Sequence, residues 1–115
     1  MIVQKLTQSA IDNYALAEKY YSILSAVNKL KLTEREIQLM AFTAVRGNMS
    51  YANIRDEFCR KYETTSPTIN NMISKLKKMG IMIKDKGKIK VTPFIVMDFT
   101  KDFALFITLT HKPIN

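Results

Sequence analysis

The chain has 115 residues, a length suited to one domain, and 47% of them are apolar, enough for a core. No run approaches the ~18–20 consecutive apolar residues of a membrane-spanning helix, the first residues lack the charged-then-apolar layout of a secretory signal, and the one cysteine, Cys59, excludes an internal disulfide. These features point to a reducing compartment, cytoplasmic or assembled from there into a larger particle, while a formal net charge of +8 points to an anionic partner, nucleic acid first.

In chain order, the first expected element is a long amphipathic N-terminal helix from about Ser9 to Leu30, within a segment spanning 1–31. Ile11, Tyr14, Ala17, Tyr21, Leu24 and Val27 recur at helical spacing, and Ser9 with Asp12 resembles a capping box. The second helix has a stronger start. In Thr33-Glu34-Arg35-Glu36 the threonine hydroxyl and the glutamate carboxylate can each accept the other residue's backbone N–H, with Leu32 and Ile37 placed as a hydrophobic staple. Its apolar stripe is Ile37, Met40, Ala41, Ala44 and Val45, and Gly47-Asn48 closes it. A third helix is expected from Ser50 as N-cap to Lys61 or Tyr62, with Ala52, Ile54, Phe58 and Tyr62 buried. A fourth follows from Ser66 as N-cap, with Pro67 in the first helical position and Ile69, Met72, Ile73, Leu76 and Met79 inward, to a cap at Gly80.

After Gly80 the period changes to two. Ile81-Met82-Ile83-Lys84 and Lys88-Ile89-Lys90-Val91-Thr92 flank Asp85-Lys86-Gly87, which reads as a two-stranded hairpin. The segment 93–115 is hydrophobic and rich in β-branched and aromatic residues, and reads as a second hairpin around Thr100-Lys101-Asp102, with a helix over Lys101–Leu109 as the rival. The fold class is therefore mainly α with a small antiparallel β part: a long N-terminal helix, a core over 32–92, and a β-rich C-terminal tail.

Charge is unevenly spread along this order. Residues 1–49 hold six Lys and Arg against four acids, residues 50–92 ten against four, and residues 93–115 two against two. Residues 75–90 alone contain seven lysines and one acid, Asp85. If Ile69, Met72, Ile73 and Leu76 face a core, then Asn71, Ser74, Lys75 and Lys78 face outward, with Thr68 and Asn70 on the flanks. Asparagine can pair at two points with adenine in the major groove, and Ser or Thr can contact bases or phosphates. Thr68, Asn70, Asn71 and Ser74 are thus the candidate base-facing residues. Ser66, Lys75, Lys77, Lys78, Lys84, Lys86, Lys88 and Lys90 are the candidate phosphate contacts. Outward lysines also serve as an ordinary solvated face, and 14 Lys against 4 Arg gives fewer of the commonest base readers.

The succession of helix, helix, two short helices and hairpin resembles the winged helix-turn-helix superfamily, and within it MarR-like regulators and some plasmid and phage replication initiators. The resemblance runs from about Leu32 to Pro93. It rests on Leu32–Glu36, on Ser66–Ile81 as a recognition helix running into a first wing strand, and on Lys86–Pro93 as the wing. It implies a double-stranded DNA-binding protein, a transcriptional regulator or replication accessory, with helix 66–79 in the major groove and the lysine-rich wing 81–92 on the backbone. The chain departs from MarR-like regulators in lacking a long C-terminal dimerisation helix and in carrying lysine at the wing tip.

Other chemistry has little support. His111 stands alone, Cys59 falls in a periodic helix, Asp98 and Asp102 flank a turn, and neither a phosphate-binding glycine loop nor a nucleophile elbow is present. No enzyme, metal or cofactor is expected. Tyr14, Tyr20 and Tyr21 read as core or interface. The alternative function is a protein-interaction module within a larger assembly such as a virion or polymerase complex, docking or self-associating through the N-terminal helix and the tail. Membrane binding ranks last, because the first helix has no cationic face.

Overall fold

The computed structural model describes residues 1–113. Four helices are followed by one antiparallel hairpin and a short 3-10 turn: α1 (Asn13–Val27), α2 (Glu34–Arg46), α3 (Ala52–Tyr62), α4 (Ser66–Lys78), β1 (Met82–Asp85), β2 (Lys88–Val91), and the 3-10 turn Pro93–Ile95. No helix among the described residues is long and apolar enough to cross a membrane.

The first helix is shorter than its periodicity suggests. Asp12, not Ser9, is the N-cap: its carboxylate accepts the N–H of Ala15 at 2.8 Å. Ile11 therefore lies outside the helix and is exposed, as is Val27 at the other end. The buried stripe is Ala17, Tyr20, Tyr21 and Ser25, rotated from the expected one.

Helix α2 is the centre of the molecule. Its capping box forms as the sequence predicts: Thr33 Oγ1 accepts the Glu36 N–H at 3.2 Å, and Glu36 Oε1 accepts the Thr33 N–H at 2.8 Å. Gly47 ends it at φ +93, in the left-handed region that glycine enters without steric cost. Glu36, Leu39, Met40, Ala41, Phe42 and Thr43 are all buried, so α2 is covered on more than one stripe. It packs against α1, β2 and α3.

Two caps fall one residue from their expected places. Tyr51, with no capping side chain, precedes α3, while the Ser50 hydroxyl accepts the N–H of Ile89 at 2.7 Å. Thr65 precedes α4, so Ser66 is the first helical residue and Pro67 lies in the first turn, where its missing N–H costs nothing. Between α3 and α4 lie only Glu63, Thr64 and Thr65, with Glu63 left-handed at φ +50.

The hairpin pairs Met82 with Val91, Ile83 with Lys90, Lys84 with Ile89, and Asp85 with Lys88. Lys86 and Gly87 form its two-residue turn with φ of +51 and +78, the positive pair of a type I′ turn. A further bond, Met49 N–H to the Ile89 carbonyl at 2.9 Å, ties the α2–α3 connection to the edge of β2. The other end of the hairpin is tied to α4 by Ile81 N–H to the Leu76 carbonyl and closed across its own strands by Thr92 N–H to the Ile81 carbonyl, both 3.1 Å.

The tail is not the β structure expected of it. Among the described residues beyond Val91 there is no strand and no α-helix. Its aromatic residues are used instead as plugs against α1. Phe99 and Phe103 pack on Tyr20 with ring centroids 5.7 and 5.9 Å away, and the Tyr21 hydroxyl donates to the Ile95 carbonyl at 2.7 Å. Packing of single rings fixes this segment, so a ladder is not needed to cover them. Asp98 does sit at a turn, its carboxylate accepting from the Thr100 N–H at 3.0 Å. Phe94, Phe106 and Leu109 remain exposed.

Candidate nucleic-acid interface

The face of interest is built by α4 and the hairpin that leaves it. On α4, Ile69, Ile73 and Leu76 are buried, spaced by four and three residues on one side of the helix. Ser66, Thr68, Asn70, Asn71, Ser74, Lys75, Lys77 and Lys78 are consequently all exposed. On the hairpin, Lys84, Lys86 and Lys88 are exposed and Lys90 is half-buried. All twelve residues expected from the sequence to meet nucleic acid thus lie on two consecutive elements.

Strand register divides the hairpin lysines. Cross-strand partners share a face and neighbours along a strand alternate. Lys84 therefore shares a face with Met82, Ile89 and Val91, whereas Lys88 and Lys90 share the other with Ile83 and Asp85. Lys86 projects from the turn.

Two of the seven lysines are engaged within the fold. Lys75 Nζ lies 2.9 and 3.1 Å from the two carboxylate oxygens of Glu36, which is buried. Burial works to raise the pKa of Glu36, but the Thr33 N–H and Lys75 bonds outweigh it and hold the carboxyl below its ordinary value. Lys75 thus ties α4 to the start of α2 while its side chain stays about half exposed. Lys90 reaches Asp85 at 3.3 Å. Lys77, Lys78, Lys84, Lys86 and Lys88 make no ion pair among the described residues.

Sequence reasoning missed two residues here. Arg55, in the first turn of α3, donates from Nε to the Met49 carbonyl at 2.8 Å and from a terminal nitrogen to Oδ1 of Asn70. Tyr51 is half exposed, with Lys88 Nζ 5.7 Å from its ring centroid. Neither has a local signal, since both depend on the approach of α3, α4 and β2 in space. On α4 the hydroxyls of Thr65 and Thr68 bond to each other at 3.0 Å, while Asn71 makes no side-chain hydrogen bond among the described residues.

Elsewhere the candidates stay apart. Cys59 is half-buried against the core, and His111 is exposed. No three His, Cys, Asp or Glu residues among the described ones converge on a metal-sized site. Tyr20 and Tyr21 are core residues, and Tyr14 stacks on Phe42 at 5.3 Å. The space between α1 and the tail is filled by the Tyr20, Tyr21, Phe99 and Phe103 rings. No family model, curated protein or solved structure matches the chain.

Proposed function

We propose that this protein binds double-stranded DNA as a winged helix-turn-helix module, in the manner of a transcriptional regulator or replication accessory. Helix α4 enters the major groove and the β1–β2 hairpin rests on the adjacent backbone as the wing. The observation that carries this reading is the set of five lysines without acidic partners among the described residues, Lys77, Lys78, Lys84, Lys86 and Lys88, on a helix and the hairpin that follows it, the helix also exposing Thr68, Asn70, Asn71 and Ser74. Neutralising phosphates releases counterions and supplies affinity independent of sequence, while the amide and hydroxyl groups can address base edges. The three-residue α3–α4 connection supports it by keeping those two helices together, as does the bond from Met49 to β2, which holds the hairpin beside them.

The reading separates into two effects. Asn71→Ala changes which sequences are preferred, whereas Lys86→Gln with Lys88→Gln weakens all duplexes alike. Binding of each variant to a panel of duplexes checks this, and unchanged binding by both variants contradicts it. A second reading, docking into a protein assembly, is favoured by the exposed apolar residues Met1, Ile2, Leu6, Ile11, Phe94, Phe106 and Leu109. It would show as a stable complex that forms without DNA.

A further inference from the structure

We infer that Arg55 is a specificity-determining positioning residue, which turns the Asn70 side chain into a hydrogen-bond donor selecting guanine at one base pair. The inference rests on the DNA-binding reading of α4 and adds to it a preferred base. An arginine side chain carries five N–H donors and no acceptor. The Asn70 atom that faces it must therefore be the carbonyl oxygen, and Oδ1 is the atom bonded to Arg55. Arg55 is itself fixed, because its Nε holds the Met49 carbonyl at 2.8 Å. Met49 in turn is buried and bonded to β2.

The consequence is chemical. The two-point pairing of asparagine with adenine needs the amide oxygen beside the adenine N6 donor and the amide nitrogen beside N7. Asn70 has its oxygen bonded to Arg55 of α3, which takes up one of its two lone pairs and holds the amide in one orientation, so its NH2 is the group left free of a partner within the fold among the described residues. A head that leads with its donor fits two neighbouring acceptors, and guanine O6 and N7 are the base edge that offers them in the major groove. Asn71, exposed and with no side-chain bond among the described residues, keeps both functions and retains the adenine pairing. Two adjacent asparagines on one helix thereby differ in what they can read, and the difference is made by a residue on another helix.

The test is selection from a pool of randomised duplexes with the full chain and four variants: Arg55→Met, Asn70→Ala, Asn70→Asp, and Arg55→Met with Asn70→Ala. The wild-type chain should favour guanine over adenine at one position by about fivefold or more, the low end of a good two-point base contact. Arg55→Met should move that position towards adenine and leave the others. Asn70→Ala should flatten it, and the double variant should behave as Asn70→Ala does. Asn70→Asp keeps an oxygen for Arg55 and has no N–H, so the fold persists while the guanine preference disappears. An unchanged preference in Arg55→Met, or a uniform loss over all sequences, overturns the role of Arg55 and leaves DNA binding standing. No duplex binding by the wild-type chain overturns both.

Discussion

Glu36 serves two elements through one carboxylate, because it closes the cap of α2 and holds Lys75 of α4. A carboxyl with its pKa depressed in the folded state adds stability above the unfolded value, here an ordinary 4.5. That contribution is lost as pH falls through the lower folded value. Glu36→Gln keeps an acceptor for the Thr33 N–H but loses the ion pair, and Lys75 is about half exposed, so the cost at neutral pH is about 1–2 kcal/mol. Denaturant titration at neutral pH and near pH 3 should show the gap between wild type and variant closing in acid. The cap half of this site was legible in four consecutive residues. The Lys75 half was not, because its partner is 39 positions away. Tyr62 offers a second check. Its hydroxyl is buried without a hydrogen-bond partner among the described residues, and burial, with Glu18 and Asp12 adding to it, pushes its pKa up to about 12. Tyr62→Phe removes an unsatisfied polar atom and should leave the melting temperature unchanged or raise it, by up to about 1 kcal/mol in stability.

At the scale of elements, the four helices and the hairpin follow from local signals: apolar spacing, Pro67 at the start of α4, and Gly87 in a two-residue turn. The expected caps at Ser50 and Ser66 missed by one residue, and neither helix start takes a side-chain cap: the Ser50 hydroxyl accepts the Ile89 N–H instead, and the Thr65 hydroxyl pairs with that of Thr68. The tail misled for a different reason. Alternating aromatic and β-branched residues look the same whether they pair as strands or plug a helix face one ring at a time. Only the presence of Tyr20 and Tyr21 opposite Phe99 and Phe103 decides it. Phe99 is the buried member, at 5% exposure, whereas Phe106 is 92% exposed. Phe99→Ala should therefore cost about 3 kcal/mol, while ending the chain after Phe103 should leave the thermal transition nearly unchanged. Equal effects of the two changes would mean that the tail beyond Phe103 also carries the fold.

For the molecule as a whole, α2 sits at the centre. An aromatic group of Tyr14, Phe42, Phe58 and Tyr62 binds α1, α2 and α3 together, and a second group anchors the tail on α1. Helix α4 and the hairpin lean on this body through Ile69, Ile73, Leu76, Met82 and Val91 and turn their lysines to solvent. The candidate face was legible because its charge is dense within one short stretch. Its internal order, with Lys75 and Lys90 occupied and Asn70 held by Arg55, required the contacts between elements. Affinity for a generic labelled duplex, followed by fluorescence anisotropy over a salt series, tests the central claim most directly. Contact through Lys77, Lys78, Lys84, Lys86 and Lys88 gives a log–log slope of about −4 to −5, from roughly −0.9 for each of about five phosphates neutralised. No binding even at low salt would contradict it and leave protein–protein assembly as the function of this fold.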